Sequence, residues 1–267
     1  MVTPGNIPYL YVMENALSLV CMFLAGILLS TSSFAQSSGP YNPDSNGDGL
    51  ITVVDLQAFL STYGLAFEAT STEWSCGEAI TYSGVGYSTV QIGDQCWFAE
   101  NLSTTTYLDG DAIPQNLSNG DWSITASGAM AFYNDVPTNS GLYNWYAVDD
   151  ARGLCPSGWH IPTDGEWTEM TDLLGGQDVA GGQMKATYGW LYDGNGSNSS
   201  GFTGLPGGAR SPDVDFESAG SGGAWWSSSP NESDVWYRFL GSEYEGVYRG
   251  SGNLHYGFSV RCVRDVE

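Results

Sequence analysis

Four cysteines, Cys76, Cys96, Cys155 and Cys262, follow an apolar run from Ala16 to Leu29 in which Ser18 is the one hydroxyl residue. The run leads into "STSSFAQ", where Ser33 and Ala35 are the small residues that precede a cleavage point. This pattern predicts a secretory signal peptide over 1–35, cut after Ala35. A bilayer span would need about 20 apolar residues, more than the run supplies. No Lys or Arg precedes Arg152, so the usual basic n-region is missing, and Met13 is an alternative start. Cys21 lies mid-run behind Val20, a poor setting for acylation. An even cysteine count in an exported chain predicts disulfides. Four cysteines allow three pairings. Cys76–Cys96 with Cys155–Cys262 is favoured, because the second ties the last strand to the start of a domain segment. On the loop-entropy argument the two would stabilise by roughly 3 and 5 kcal/mol. Zinc is the alternative use of four cysteines, but no C-x-x-C pair occurs.

The first segment of the mature chain, 36–65, contains "DSNGDGLITVVD". Calcium takes about six to eight oxygen ligands, and a tight loop can supply them from one short stretch. Asp44, Asn46 and Asp48 fall at the first, third and fifth positions of such a loop, and Gly49 at the sharp turn. Leu50 follows as a carbonyl ligand, Thr52 at the ninth position and Asp55 at the closing twelfth. Ca2+ is the cofactor this spacing predicts. Val53, Leu56, Phe59 and Leu60 then recur at helical spacing, with Gly64 as a stop. Asp rather than Glu at the end, with no helix before the loop, makes the segment resemble one half of a dockerin. Dockerins carry two such halves, so the single copy makes a cohesin a poor partner.

Residues 66–75 read as a linker and 76–267 as the main domain. "AITYSGVGYSTVQIGDQCWFAENL" alternates as two or three strands, with turns at 83–86 and 93–95. Residues 109–141 read as long surface loops. In "TDGEWTEMTDLLGG", Thr163 and Glu166 have capping-box spacing. Trp167, Met170, Leu173 and Leu174 make its apolar face, and Gly175 ends it. Glycine-rich loops then alternate with short aromatic strands. Trp225 and Trp226 cannot share one side of a strand, so at least one belongs to the core. Arg210, Arg238 and Arg249 are scarce cations among many acids, which predicts internal salt bridges for each.

Thirty acids against seven bases give a net charge of −23, and Lys185 is the only lysine. No basic face is available for nucleic acid or for an anionic membrane surface.

"IGDQCWFAENL", "GLYNWYAVDDARGLCPSGWHIPTDGEWTEM", "GFTGLPGGARS", "WWSSS" and "FSVRCVRD" occur in that order. Together they resemble the Fibrobacter succinogenes major paralogous domain family, over roughly residues 76–265. The resemblance implies an α+β, C-type lectin-like fold: short strands, one or two helices, long loops, and a terminal strand beside the start. "CPSGW" with the later "SVRC" fits that fold's habit of clamping its ends by a disulfide. It implies no activity that transfers residue by residue. Lectin-type calcium loops are not matched: "SPNE" and "FYND" stand in the wrong order.

No H-E-x-x-H, G-x-S-x-G or phosphate loop occurs, and no catalytic residue is assigned. Glu166, Glu169 and Asp172 read as capping or solvated carboxylates. His160 and His255 are the only imidazoles, and His160 reads as packed rather than catalytic. Trp190, Tyr192, Tyr244 and Tyr248 lie in loop-like contexts where a ring could stack on a sugar. The expected function is noncatalytic extracellular binding or adhesion, to polysaccharide or a cell-surface protein, with a structural calcium site. The alternatives are an accessory component of polysaccharide degradation held by a dockerin-like contact, or a glycoside hydrolase whose site is not recognisable. The chain stops almost at "VRCVRD", so soluble secretion is expected rather than anchoring.

Overall fold

Short alternating segments separated by tight turns dictate a protein of small sheets. The computed structural model describes residues 50–62, 74–133 and 140–266. The chain divides into two compact units, Met1–Ser71 and Thr72–Glu267. Within the first, α1 (Val53–Thr62) is described together with the residues that lead into it. Thr52 and Asp55 brace its start: the Thr52 backbone N–H donates to Asp55 Oδ2 at 2.8 Å and its hydroxyl to the same oxygen at 3.0 Å. Val53, Val54 and Leu56 are exposed, whereas Asp55 is buried. The expected apolar face of this helix is therefore not the face the described residues bury. Asp44, Asn46, Asp48 and Gly64 lie outside the described residues.

The second unit begins with two hairpins. β1 (Ile80–Tyr82) pairs with β2 (Val85–Tyr87), and β3 (Thr89–Ile92) with β4 (Gln95–Phe98). The segment expected to give two or three strands gives four. After it come α2 (Asn119–Ile124), β5 (Met130–Ala131), β6 (Leu142–Tyr143) and α3 (Trp145–Val148). The stretch read as surface loops thus contains a helix, and that helix buries Trp122 completely. Its indole donates to the His255 carbonyl at 2.7 Å, a partner far along the chain.

α4 (Asp164–Leu173) starts where the sequence places it, with both halves of the Thr163/Glu166 capping box formed. Trp167, Met170 and Thr171 are buried and Leu174 packs beside them, a stripe at i, i+3, i+4 and i+7. Leu173 is exposed, because its position is turned about 120° around the helix from Trp167, off the buried stripe. α5 (Ala180–Met184) follows. The largest sheet has the order β11-β10-β9-β7-β8. Its strands are β7 (Gly207–Ser211), β8 (Asp215–Ala219), β9 (Gly222–Asn231), β10 (Asp234–Gly241) and β11 (Tyr248–Gly252). β12 (Val263–Asp265) closes the chain by pairing with β4. The unit is mainly sheet with few helices, an α+β arrangement.

Two large apolar clusters and a small one around Trp122 fill the interior, and adjacent residues of β9 serve the two large ones. Trp225 joins Trp97, Trp167, Phe202 and Leu240 in one, while Trp226 joins Phe98, Tyr143 and Phe258 in the other. Both tryptophans are fully buried, on opposite faces of the strand. Between the clusters lies a polar knot. Asn101 Oδ1 accepts from Trp225 Nε1 at 2.8 Å and from Arg261 Nε at 2.7 Å. The remaining Arg261 nitrogens donate to the carbonyls of Phe98, Phe202 and Thr203. Burial pushes this guanidinium down to about 9, and neutral oxygens satisfy it. The disulfides are Cys76–Cys96 and Cys155–Cys262, the favoured pairing. Among the described residues no helix is long and apolar enough to cross a membrane.

Candidate functional site

The β10–β11 hairpin carries an open concave surface, and its sequence explains why. In "VWYRFLGSEYEGVYRGSG" aromatic residues and glycines recur on one face. Tyr237, Phe239 and Gly241 share a face of β10, and Tyr248 and Gly250 stand opposite Phe239 and Tyr237 on β11. Glycine at 250 leaves room for both rings: a Cβ there would lie 2.8 Å from Tyr237 Cζ and 2.6 Å from Tyr248 Cε1 and would push them aside. Its absence lets the two rings approach, with centroids 6.3 Å apart. Tyr237 rests on Phe258 beneath, and burial raises its hydroxyl pKa, with Tyr248 and Tyr256 adding to the effect.

The connection after β10, residues 242–247, is longer than a tight hairpin turn and is held from outside. Lys185 Nζ donates to the carbonyls of Tyr244 at 2.7 Å and Gly241 at 3.2 Å. Gly182 N–H donates to the Glu245 carbonyl at 2.7 Å, and Val247 N–H to the Gln177 carbonyl at 2.7 Å. α5 must approach closely to make these bonds. A Cβ at Gly181 would sit 2.2 Å from the Gly246 oxygen, so only glycine fits there. Lys185 is buried, which lowers its pKa, while Glu245 acts in the opposite sense.

The result is a cleft of about 670 Å3, within the range of small-molecule sites. Tyr237, Phe239, Tyr244 and Tyr248 supply its aromatic wall, and Gln177, Asp178 and Glu245 its polar rim. Tyr244 and Tyr248 are 67% and 58% exposed, so their faces are open to a ligand. No Lys or Arg is among the described residues that line it. The arrangement offers flat apolar surfaces flanked by hydrogen-bonding groups.

Of the four rings singled out from the sequence, the cleft brings together Tyr244 and Tyr248. Tyr192 is exposed in a turn with φ 57° and does not line the cleft. Trp190 corrects the expectation: it is 5% exposed and packs in the core with Trp225 and Met184. Its indole donates to the Gly204 carbonyl at 3.0 Å, and the Lys185 ammonium lies 5.4 Å from its ring. Tyr237, Phe239, Gln177 and Asp178 went unnoticed in the sequence. The repeated ring-and-glycine spacing of the hairpin was the available signal for the first two. Gln177 and Asp178 arrive from a distant loop and had none.

The remaining charged groups support the frame. Asp164 accepts from Arg238 at 2.8 Å and from Arg249 at 2.9 and 2.8 Å. Burial alone would raise the Asp164 pKa, but hydrogen bonds from both arginines outweigh it and hold the carboxyl low. Arg249 also lies 3.5 Å over the Trp236 ring. Arg210 is buried against Trp122, 4.2 Å from its ring, and donates to the Leu117 carbonyl. Its distance to Asp215 is 3.8 Å. His160 is half exposed rather than packed, and its Nε2 meets Glu166 Oε1 at 2.5 Å. Among the described residues no three His, Cys, Asp or Glu side chains form a group suited to a metal ion. Of the calcium set, Leu50, Thr52 and Asp55 are described; Leu50 and Thr52 are exposed, and the buried Asp55 carboxylate accepts from Thr52.

No curated protein and no solved structure matches the chain. Residues 90–264 match the Fibrobacter succinogenes major domain, a span from β3 to β12 that includes the cleft hairpin, the polar knot and the Cys155–Cys262 disulfide. The chain belongs to the Fibrobacter succinogenes major domain family.

Proposed function

We propose that this protein is a secreted, noncatalytic carbohydrate-binding protein whose ligand stacks in the β10–β11 cleft. The observation that carries the reading is the pair of open rings, Tyr244 and Tyr248, backed by Tyr237 and Phe239 and rimmed by Gln177, Asp178 and Glu245. Sugar rings present apolar C–H faces and a hydroxyl edge, and this wall and rim complement both. Binding is favoured over hydrolysis because Asp178 and Glu245 are both exposed. Open rings that stack on a sugar face supply affinity, and no buried carboxylate is among the described residues lining the cleft. Export is supported by the apolar run of the leader and by two disulfides, which persist in oxidising compartments. A C-type lectin-like fold is supported by β12 lying beside β4, with Cys155–Cys262 joining the last strand to the middle of the chain. Calcium at Asp44, Asn46, Asp48, Leu50, Thr52 and Asp55 folds the N-terminal unit in this reading and takes no part in sugar binding.

The test is a glycan-binding screen on the mature protein, with Tyr244→Ala and Tyr248→Ala beside it. Binding to at least one polysaccharide, lost in both variants, is the expected result. Release of reducing sugar from a bound polysaccharide would move the reading to a hydrolase. Absence of binding across plant and algal glycans would sink it.

A further inference from the structure

A second concavity, of about 240 Å3, lies on the same sheet and shares its wall with the first. Tyr237 and Phe239 line both. These two residues are neighbours on one face of β10, so the cavities meet across a ridge of two rings. Beyond that ridge the second cavity is bounded by Tyr256, Phe258, Ala224 and Glu217. Tyr256 stacks on Phe258 with centroids 5.2 Å apart, and the small Ala224 faces Phe239 on β9.

We infer that the two cavities form one continuous track for the interior of a linear, uncharged polysaccharide, rather than a pocket for a chain end. This inference rests on the carbohydrate reading above and adds the ligand's form and charge. Three observations carry it. Ring contacts run from Tyr248 to Tyr237, on to Phe258 and then to Tyr256, with centroids 6.3, 5.0 and 5.2 Å apart, and so link the two cavities. Hydrogen-bonding groups flank both ends, Asp178 and Glu245 at one and Glu217 and Ser218 at the other. The described lining of both cavities contains acids and no Lys or Arg, in a chain whose net charge is −23. Uronates and sulfated chains would meet carboxylates of their own sign with no cation to receive them.

Calorimetry with cello-, xylo- and laminari-oligosaccharides of two to six units tests the proposal, with oligogalacturonates as the anionic probe. One neutral series should gain affinity with each unit until both cavities are filled, and oligogalacturonates should not bind. Tyr256→Ala should weaken the hexamer by about tenfold, the loss expected for one stacking ring, and leave the dimer unchanged. Because Tyr256 packs on Phe258, Gly252→Trp is a second variant. Gly252 lines the second cavity on the Tyr237 face of β11, and a Cβ there meets nothing closer than 3.4 Å, so an added ring obstructs the cavity. A dimer that binds as tightly as the hexamer would overturn the track and leave carbohydrate binding standing. So would hexamer affinity unchanged in both variants. Binding of oligogalacturonates in preference to neutral oligomers would overturn the charge assignment. Failure of every oligomer and of the parent polysaccharides would overturn the carbohydrate reading and this inference together.

Discussion

Lys185, the only lysine, donates to the main-chain carbonyl of Tyr244 at 2.7 Å, and so holds the loop that presents the outermost ring of the cleft. The same ammonium reaches the Gly241 carbonyl at 3.2 Å, so one buried side chain ties both ends of the turn around Tyr244.

Lys185→Met keeps the stem and removes all three donors. The buried Gly241 carbonyl and the partly buried Tyr244 carbonyl then lose their partner, which costs about 1–3 kcal/mol. At roughly 2–4 °C per kcal/mol for a domain of this size, the thermal midpoint should fall by several degrees. Amide exchange should accelerate at residues 241–247 before it changes in β9 or α4. Identical exchange in that loop for both proteins would show that Lys185 does not hold it.

Asp164 joins two arginines, and only one of them has access to water. Arg238 is 2% exposed at its side chain and Arg249 38%. Asp164→Ala leaves the Arg238 charge buried with only Thr168 Oγ1 and the Asp164 carbonyl as acceptors. Breaking such a pair costs about 3 kcal/mol or more. Arg249→Ala removes the exposed partner and should cost about 1 kcal/mol or less. Urea unfolding of the two variants checks the order, and equal losses would refute the distinction. The Asp164 pKa is held low in the folded state. Its contribution is therefore complete above the unfolded carboxylate value and is lost as pH falls through the folded one.

What the sequence disclosed follows the range of each interaction. The α4 capping box connects residues three apart, and its spacing survives in any context. The split between Trp225 and Trp226 follows from strand geometry alone. Trp190, and the 109–141 stretch that carries Trp122, read as exposed because their surroundings are loop-like. The burial of the two tryptophans depends on contacts with Gly204 and His255, which local pattern does not encode. The cleft was half legible for the same reason: Tyr244 and Tyr248 were visible in one hairpin, whereas Gln177 and Asp178 reach it only through the contact of α5 and its preceding loop with residues 245–247.

His160 and Glu166 make a pH-dependent contact at the head of α4. The Glu166 hydrogen bond raises the His160 pKa, against a smaller effect of burial. A His raised above its unfolded value stabilises fully below that value and loses the contribution as pH climbs through the folded one. Burial would raise Glu166, but His160 and Thr163 outweigh it and lower its pKa, so its share disappears as pH falls. The pair therefore stabilises most between the two titrations, in mildly acidic solution. Both groups retain solvent contact, which limits the gain to about 1 kcal/mol or less. Wild type should melt above His160→Gln near pH 5.5 and level with it near pH 8.5. A difference that grows with pH would reverse the assignment.

Calcium should act on the N-terminal unit and leave the cleft alone. Asp55 closes the proposed loop and also braces α1 through Thr52, so an ion bound there would couple to helix formation. Titrating calcium into the mature protein should raise helicity in residues 53–62, and Asp44→Ala or Asp48→Ala should abolish that gain. The distinguishing measurement is sugar affinity with and without chelator. It should be the same in both, because Tyr237, Phe239, Tyr244 and Tyr248 are held by protein groups: Lys185, Gly182, Gln177 and the β10–β11 register. Loss of sugar binding in chelator would place a functional ion at the cleft. An unchanged calcium response in both aspartate variants would move the ion away from the 44–55 loop.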